Sequence, residues 1–473
     1  MDEPSVTALA GEAAPLVVDV DGTLICTDLL WEGLLDIAFR HPRALPALLG
    51  AGLRGRAALK AAVARYSMID LATLPLRREV EALIETAASA GQPVVLASGA
   101  HISYVEALAE RVGGHAALGT SETNLTGRAK RDALIARFGE FEYVGNDRKD
   151  LAIWEHARRA YTVDASPALL RAVRSRHADV VPVTTRAPRT LTIMRALRPQ
   201  QWFKNVLIFM PAFAAHRTDP AEYGRLLIAF LAFSFTASSV YLLNDLVDLP
   251  NDRMHRTKRR RPLASGALPI PVAVGLAPLL LGMAVIAGSV LPPAFLIVLG
   301  GYFLTTAAYS LDLKRRMLVD VLCLALLYAS RVVAGAAVTD VVLSDWFVAF
   351  FGFLFLSLAL VKRVVELGRT EGALAGRGYH DADTPVLISL GVGSSIASVL
   401  VMALYIANPE SEPLYRHPHF LWLALPLLLY WQCRMWILTV RGQVDDDPIA
   451  FAGRDSVSYL AVLTAIALII FAV

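Results

Sequence analysis

From Trp202 to the C-terminus the sequence is a succession of long apolar runs, and these constrain the fold more than any other feature. Backbone N–H and C=O groups find no water inside a bilayer, so such runs cross it as hydrogen-bonded helices, each needing about 20 apolar residues. Nine spans are expected, at approximately 202–216, 224–243, 272–291, 293–310, 318–338, 346–361, 385–406, 419–439 and 457–473. The first and sixth are short and must extend through their flanks or tilt little. Apolar residues make up 55% of the chain, yet its charges are unevenly spread: they run throughout residues 1–190 and afterwards fall in short clusters. A soluble head on a membrane body follows.

Placing the head inside and alternating nine spans puts 244–271, 311–317, 362–384 and 440–456 on the cytoplasmic side. Their Lys and Arg counts are 6, 3, 4 and 2, whereas the opposite connections hold Arg217 and Arg416. That asymmetry is the positive-inside pattern. The opening stretch is acidic without a long apolar core, so no secretory signal is expected, and the net charge of +3 is small. The expected location is the cell (inner) membrane, multi-pass, without a nucleic-acid partner. Cys26, Cys323 and Cys433 lie far apart without metal-ligand spacing and are expected to pack. Residues 183–204 carry five Lys or Arg and no acid, which suits an anionic membrane surface as well as a solvated linker. Trp202 is placed as an interfacial anchor, with Lys204 and Asn205 turned toward the membrane entrance.

The head opens with PLVVDVDGTLICTD. Leu16 to Val18 reads as a buried parallel strand delivering Asp19 and Asp21 to the loop beyond it, on one side with Val20 between them. Two carboxylates there can divide nucleophilic and acid-base work, although an Asp- and Gly-rich turn reads similarly. Three further segments follow in order: a strand VVLASG ending at Ser98, GRAK with Lys130, and YVGNDRKD with Asn146, Asp147 and Asp150.

This series resembles the haloacid dehalogenase superfamily of phosphatases over residues 14–180. The resemblance implies an α/β, Rossmannoid domain with Asp19 as nucleophile and Asp21 as general acid. Ser98 would bind phosphoryl oxygens, Lys130 would neutralise charge, and Asp19, Asp21, Asn146 and Asp150 would hold a magnesium ion. The segment from Asp28 to about Gly91 would form a helical cap. Asn146 stands where the family usually has Asp.

After the second span comes NDLVDLPNDRMHRTKRRRPLASG. Asn244, Asp245, Asp248 and Asp252 share one face if the helix continues, with Pro250 bending it. Carboxylates so gathered repel unless a cation joins them, and magnesium bridging a diphosphate would serve. The run from Arg253 to Arg261, including Lys258, would hold the remaining phosphate oxygens. A second cluster, YSLDLKRRMLVD, gives Tyr309, Asp312, Lys314 and Asp320. A third, KRVVELGRTEGALAGRGYHDAD, gives Lys362, Arg363, Glu366, Arg377 and Tyr379. Arg331, inside the fifth span, is expected to line a cavity. For any one of these residues, a structural ion pair is as good a reading as substrate contact.

The NDxxDxxxD motif with nine spans resembles the UbiA-type prenyltransferase superfamily over about 195–473. LRPQQWFKN, YSLDLK, KRVVEL and RGY resemble its decaprenyl-phosphate phosphoribosyltransferase branch. The resemblance implies an all-α bundle of nine transmembrane helices and transfer of phosphoribosyl from phosphoribosyl pyrophosphate to a polyprenyl phosphate. It assigns magnesium and pyrophosphate to Asn244, Asp245, Asp248 and Asp252, and phosphate contacts to Lys204, Lys258, Arg261 and Lys314. Tyr309 and Asp320 would shape the cavity. The domains are then 1–180, a linker 181–201, and 202–473, and the head would remove the product's 5-phosphate. An aromatic prenyltransferase using the same acids on a prenyl diphosphate stays open, as does a scaffold with dead sites.

Overall fold

The computed structural model describes residues 14–184, 189–369, 378–408, 415–444 and 447–472. The chain divides into two compact units, Met1–Leu197 with Leu242–Leu276, and Arg198–Tyr241 with Ala277–Val473.

In the first unit Leu16, Val17 and Val18 form β1 and are buried to the last atom, as a central parallel strand requires. Five more strands are parallel to it: β2 (Val94–His101), β3 (Ala116–Thr120), β4 (Glu142–Gly145), β5 (Ala160–Thr162) and β6 (Val180–Pro182). The spatial order is β3-β2-β1-β4-β5-β6, so the winding reverses beside β1. A crevice opens at the carboxyl ends of strands at such a reversal. Asp19 follows β1 and Asn146 follows β4, while Ser98 lies within β2. β6 carries the sheet two residues beyond the expected boundary at 180.

The expected cap divides in two. Leu29–Arg40, Leu45–Leu53 and Arg56–Tyr66 are helices around a small core of Ile37, Leu48 and Val63. The helix Arg78–Ser89 instead buries Val80, Ile84 and Ala87 in the core beside the sheet, making it part of the β1–β2 crossover. Its apolar residues at spacings of three and four present one stripe, which the sheet covers.

Seven helices among the described residues are long and apolar enough to cross a membrane: Pro220–Val247, Ile270–Gly288, Pro293–Leu311, Val319–Thr339, Asp345–Leu367, Asp381–Ala407 and His419–Val440. This is a multi-pass membrane protein. Of the other two expected spans, the first differs and the last, expected at 457–473, is the helix Ser456–Ala472. Residues 202–216 form no single helix but a 3-10 stretch, Pro199–Phe209, followed by Met210–Ala214. A Cβ on Gly335 would lie 1.9 Å from the Ile208 carbonyl oxygen, so this glycine lets the 3-10 backbone press against the helix Val319–Thr339. The last helix, Ser456–Ala472, has 17 residues. At about 1.5 Å per residue it lies at the short end of the roughly 17–25 residues that span a bilayer. The short sixth expected span does extend through its flank, ending at Leu367.

Small residues allow close packing in the second unit. Ser357 and Ser395 share a 2.7 Å hydrogen bond, and Trp436 Nε1 donates to both hydroxyls at 3.1 Å. Such hydroxyl contacts hold helices together where lipid removes the hydrophobic contrast.

Candidate active sites

The crevice beside β1 gathers the expected head residues. Asp19 Oδ1 accepts from Lys130 Nζ at 2.6 Å and its Oδ2 from Thr23 at 3.1 Å. Lys130 also donates to the Ala97 carbonyl and the Tyr143 hydroxyl, and lies 4.0 Å from Asp150. Burial alone would lower the lysine's pKa, but Asp19 and Asp150 hold it above its ordinary value. The ammonium therefore stays charged beside the carboxylate it would neutralise. Asp21 accepts from the Leu29 N–H and the Ser98 hydroxyl, both at 2.9 Å. Burial, with Asp28 and Asp19 nearby, pushes its carboxyl up to about 7. A carboxyl in that range can deliver a proton near neutrality, as a general acid must.

Ser98 is the residue expected to bind phosphoryl oxygens. It is fully buried, donates to Asp21 and accepts from the Ala100 N–H, so it orients the acid. Asp150 accepts from the N–H groups of Asn146 and Asp147 and from Tyr143, and burial pushes it up to about 6. Its placement shapes the loop after β4 as well as the site. Tyr143 has no signal in the sequence beyond standing three residues before Asn146; only the fold shows its hydroxyl between Lys130 and Asp150. Gly22, at φ +74°, lies so close to the Asn146 amide that a Cβ would come within 2.2 Å of its nitrogen.

The acids after the second span are arranged differently from one continuous face. The helix Pro220–Val247 ends before Asp248, and a new helix, Leu249–Met254, begins with Pro250 in its first turn. Asn244 and Asp245 lie on the first helix and Asp252 on the second. Arg261 Nη1 joins the two, 3.2 Å from Asp245 Oδ1 and 2.5 Å from Asp252 Oδ2. Burial raises the Asp252 carboxyl above its usual range in spite of this guanidinium. Arg253 does not point its charge at phosphate: it pairs with Glu32 of the head. Lys258 stands exposed at the start of a 3-10 turn, Lys258–Arg260.

Among the described residues, no three His, Cys, Asp or Glu side chains come together as a ready metal cage. Magnesium is commonly held by one or two carboxylates together with substrate phosphates. Asp245 and Asp252, gathered around one guanidinium, fit that kind of site, as does Asp19 with Asn146 in the head.

The second unit holds a buried polar network. Lys204 pairs with Asp447, and its ammonium lies 5.9 Å from the Tyr328 ring centre. Burial would raise the Asp447 carboxyl, but Lys204 and Lys362 bring it below its usual range. Arg331 Nε donates to Asn205 Oδ1 at 2.9 Å and Nη2 to the Tyr302 hydroxyl at 3.2 Å. Asn205 donates onward to Ser234. Asp447 and Tyr302 were invisible as site residues in the sequence; an acid beside Pro448 reads as an ordinary helix start. Tyr309 packs with the apolar cluster around Tyr379, and Lys314 lies in the 3-10 turn Leu313–Arg315. Arg377 lies outside the described residues.

Asp320 is fully enclosed. It pairs with Arg363, accepts from Tyr379 at 2.6 Å, and Tyr379 in turn accepts from the Leu318 N–H at 2.7 Å. Its carboxylate therefore ties two helices and the Tyr379 segment together. Asp320→Ala, which leaves Arg363 with Glu366 as its carboxylate partner and unties Tyr379, is expected to cost about 1–3 kcal/mol. Thermal unfolding in detergent should show this loss, and an unchanged transition would contradict the structural role.

The second unit is a multi-helical membrane body and the first a parallel-sheet head with a carboxylate crevice. The chain belongs to the UbiA prenyltransferase family, whose model matches residues 205–472. A protein of Sinorhizobium fredii, described as uncharacterised, is 35% identical over 457 residues, covering 94% of this chain and 88% of its own length. That alignment takes in the head as well as the membrane body. The decaprenyl-phosphate phosphoribosyltransferase of Mycobacterium tuberculosis is 32% identical over 295 residues, 60% of this chain and 96% of that enzyme. Among solved structures, a UbiA homologue from Archaeoglobus fulgidus bound to GPP and Mg2+ is 18% identical, with a TM-score of 0.46, covering 59% of this chain and 99% of that one.

Proposed function

We propose that the chain transfers phosphoribosyl from phosphoribosyl pyrophosphate to a polyprenyl phosphate, and that the head then removes the 5-phosphate to leave polyprenyl-phosphoryl ribose. The observation that carries the transfer is the pair Asp245 and Asp252 meeting at Arg261, in a chain that aligns with nearly the whole mycobacterial phosphoribosyltransferase. On this reading the head occupies 1–180, a basic linker 181–201 and the transferase 202–473.

Asn244, Asp245, Asp248 and Asp252 would hold magnesium, which when bound withdraws charge from the departing pyrophosphate. Arg261, Lys204, Lys258 and Lys314 bind phosphate oxygens, and Arg331 with Asn205 fixes the polar floor of the membrane body. The anomeric C–O bond to pyrophosphate breaks as an oxygen of the lipid phosphate forms the new bond. That oxygen is already ionised, so stabilising the leaving group matters more than a base. Asp320 contributes by positioning, through Arg363 and Tyr379.

In the head, Asp19 attacks phosphorus while Asp21 gives its proton to the departing ribose oxygen; Asp21 then takes a proton from the water that releases inorganic phosphate. Lys130 offsets the negative charge gathered at Asp19. Asp19, Asp21, Asn146 and Asp150 would hold a second magnesium. Mass spectrometry of lipids made by the purified protein tests the whole reading: phosphoribosyl pyrophosphate should be consumed with polyprenyl phosphate, whereas consumption of a prenyl diphosphate with an aromatic acceptor would replace it.

The orientation has its own test. With Cys26, Cys323 and Cys433 replaced, Val342→Cys, at a position 93% exposed, should react with an impermeant thiol reagent from outside intact cells. Thr257→Cys, within the basic loop, should not. The reverse pattern would place the head and both sites outside.

A further inference from the structure

The loop after the second span does more than carry acids. Arg253 makes a bidentate ion pair with Glu32 of the cap, at 2.5 and 3.0 Å, both side chains being almost wholly buried. Thr27 donates to the same Glu32 at 2.5 Å, on the segment that leads from Asp21 into the cap. Arg253 also reaches the Ala264 carbonyl at 3.4 Å. One guanidinium thus ties the head to the far end of the loop. Gly266 meets the head again: its φ is +76°, and a Cβ there would lie 2.4 Å from the Cys26 carbonyl oxygen. The crevice of Asp19, Asp21 and Lys130 opens into a cavity of about 1220 Å³, whose lining includes Ser265, Gly266 and Ile270.

Ile270 is the first residue of a membrane-crossing helix, Ile270–Gly288. The cavity therefore reaches the end of a helix that enters the bilayer. Its volume exceeds the roughly 300–1,000 Å³ of an ordinary small-molecule pocket. Asp19 and Asp21 need little of that space.

We propose that residues 265–271 are a wall of the phosphatase cavity, pinned by Glu32–Arg253, and that this wall makes the head a hydrolase for phosphate monoesters carried on membrane lipid rather than free ones. The wall comes from the loop that also carries Asp252 and Arg261, so the two sites share one short segment. This rests on the phosphatase reading above and assigns the segment that makes the head select the lipid-linked ester over a free one.

The test uses the full-length protein in lipid vesicles, with phosphate release measured from polyprenyl-phosphoryl 5-phosphoribose and from soluble p-nitrophenyl phosphate. Glu32→Gln loosens the pin, and Gly266→Val independently pushes the wall from Cys26. Each is expected to lower kcat/KM for the lipid ester about tenfold or more while leaving the soluble ester within about twofold. An unchanged ratio of the two kcat/KM values, whether neither falls or both fall together, overturns the inference while leaving the phosphatase in place. A wild type that hydrolyses neither ester overturns the phosphatase reading and this inference with it.

Discussion

Asp245→Asn and Asp248→Asn are each expected to reduce formation of lipid-linked phosphoribose about a thousandfold, while the protein remains in the membrane at normal abundance. A lost carboxylate charge at the diphosphate removes several kcal/mol of transition-state stabilisation, which sets that magnitude. The two variants should differ in one respect. Asp245 is buried and joined to Arg261, so its substitution also frees a guanidinium that Asp252 must then hold alone. Asp248 is half-buried at the break between two helices. Asp245→Asn should therefore lower thermal stability more than Asp248→Asn. Near-normal turnover in both variants, measured by incorporation of labelled phosphoribose into lipid, would remove the acids from the reaction.

The parts of this molecule that could be read from sequence are those set by a local rule. β1 falls at Leu16–Val18 because a fully buried parallel strand is a short apolar run, and the membrane helices are found because the bilayer imposes length and composition together. The first expected span fails that rule: it reads as apolar, yet it forms a 3-10 stretch, Pro199–Phe209, and a five-residue helix, Met210–Ala214. Candidate residues were legible where chemistry-bearing side chains cluster in sequence, as in DVDGT or NDLVD. Partnerships between distant segments were not. Nothing local joins Lys204 to Asp447, Arg253 to Glu32 or Arg363 to Asp320, because those pairs are made by packing. Basic residues that looked available for phosphate, such as Arg253, prove to be held by acids far along the chain. Ser98 shows the same limit at close range: its strand was readable, although β2 runs on past it to His101, but its use on Asp21 depends on the loop after β1.

Asp19→Asn is expected to leave phosphoribosyl transfer intact and make the 5-phosphorylated lipid accumulate, where the wild type accumulates the dephosphorylated form. The amide cannot attack phosphorus, and a loss of nucleophile should slow the head by about a thousandfold or more. Asp19 sits in the crevice beside β1, bonded to Lys130 and Thr23, with the Lys130 charge sustained by Asp150 as well. The substitution therefore removes one charge from a group of three carboxylates and an ammonium, which changes the head's stability little if Lys130 keeps Asp150. On the proposed reading Asn146 would supply a neutral ligand where an acid would bind magnesium more strongly, so the wild-type reaction should demand a high magnesium concentration, and Asn146→Asp should lower that demand. Liquid chromatography with mass spectrometry distinguishes the two lipids by one phosphate. If wild type and Asp19→Asn give the same phosphorylated lipid and release no inorganic phosphate at saturating magnesium, the head does not act on this product and is either a relic that supports folding or an enzyme for another phosphate ester.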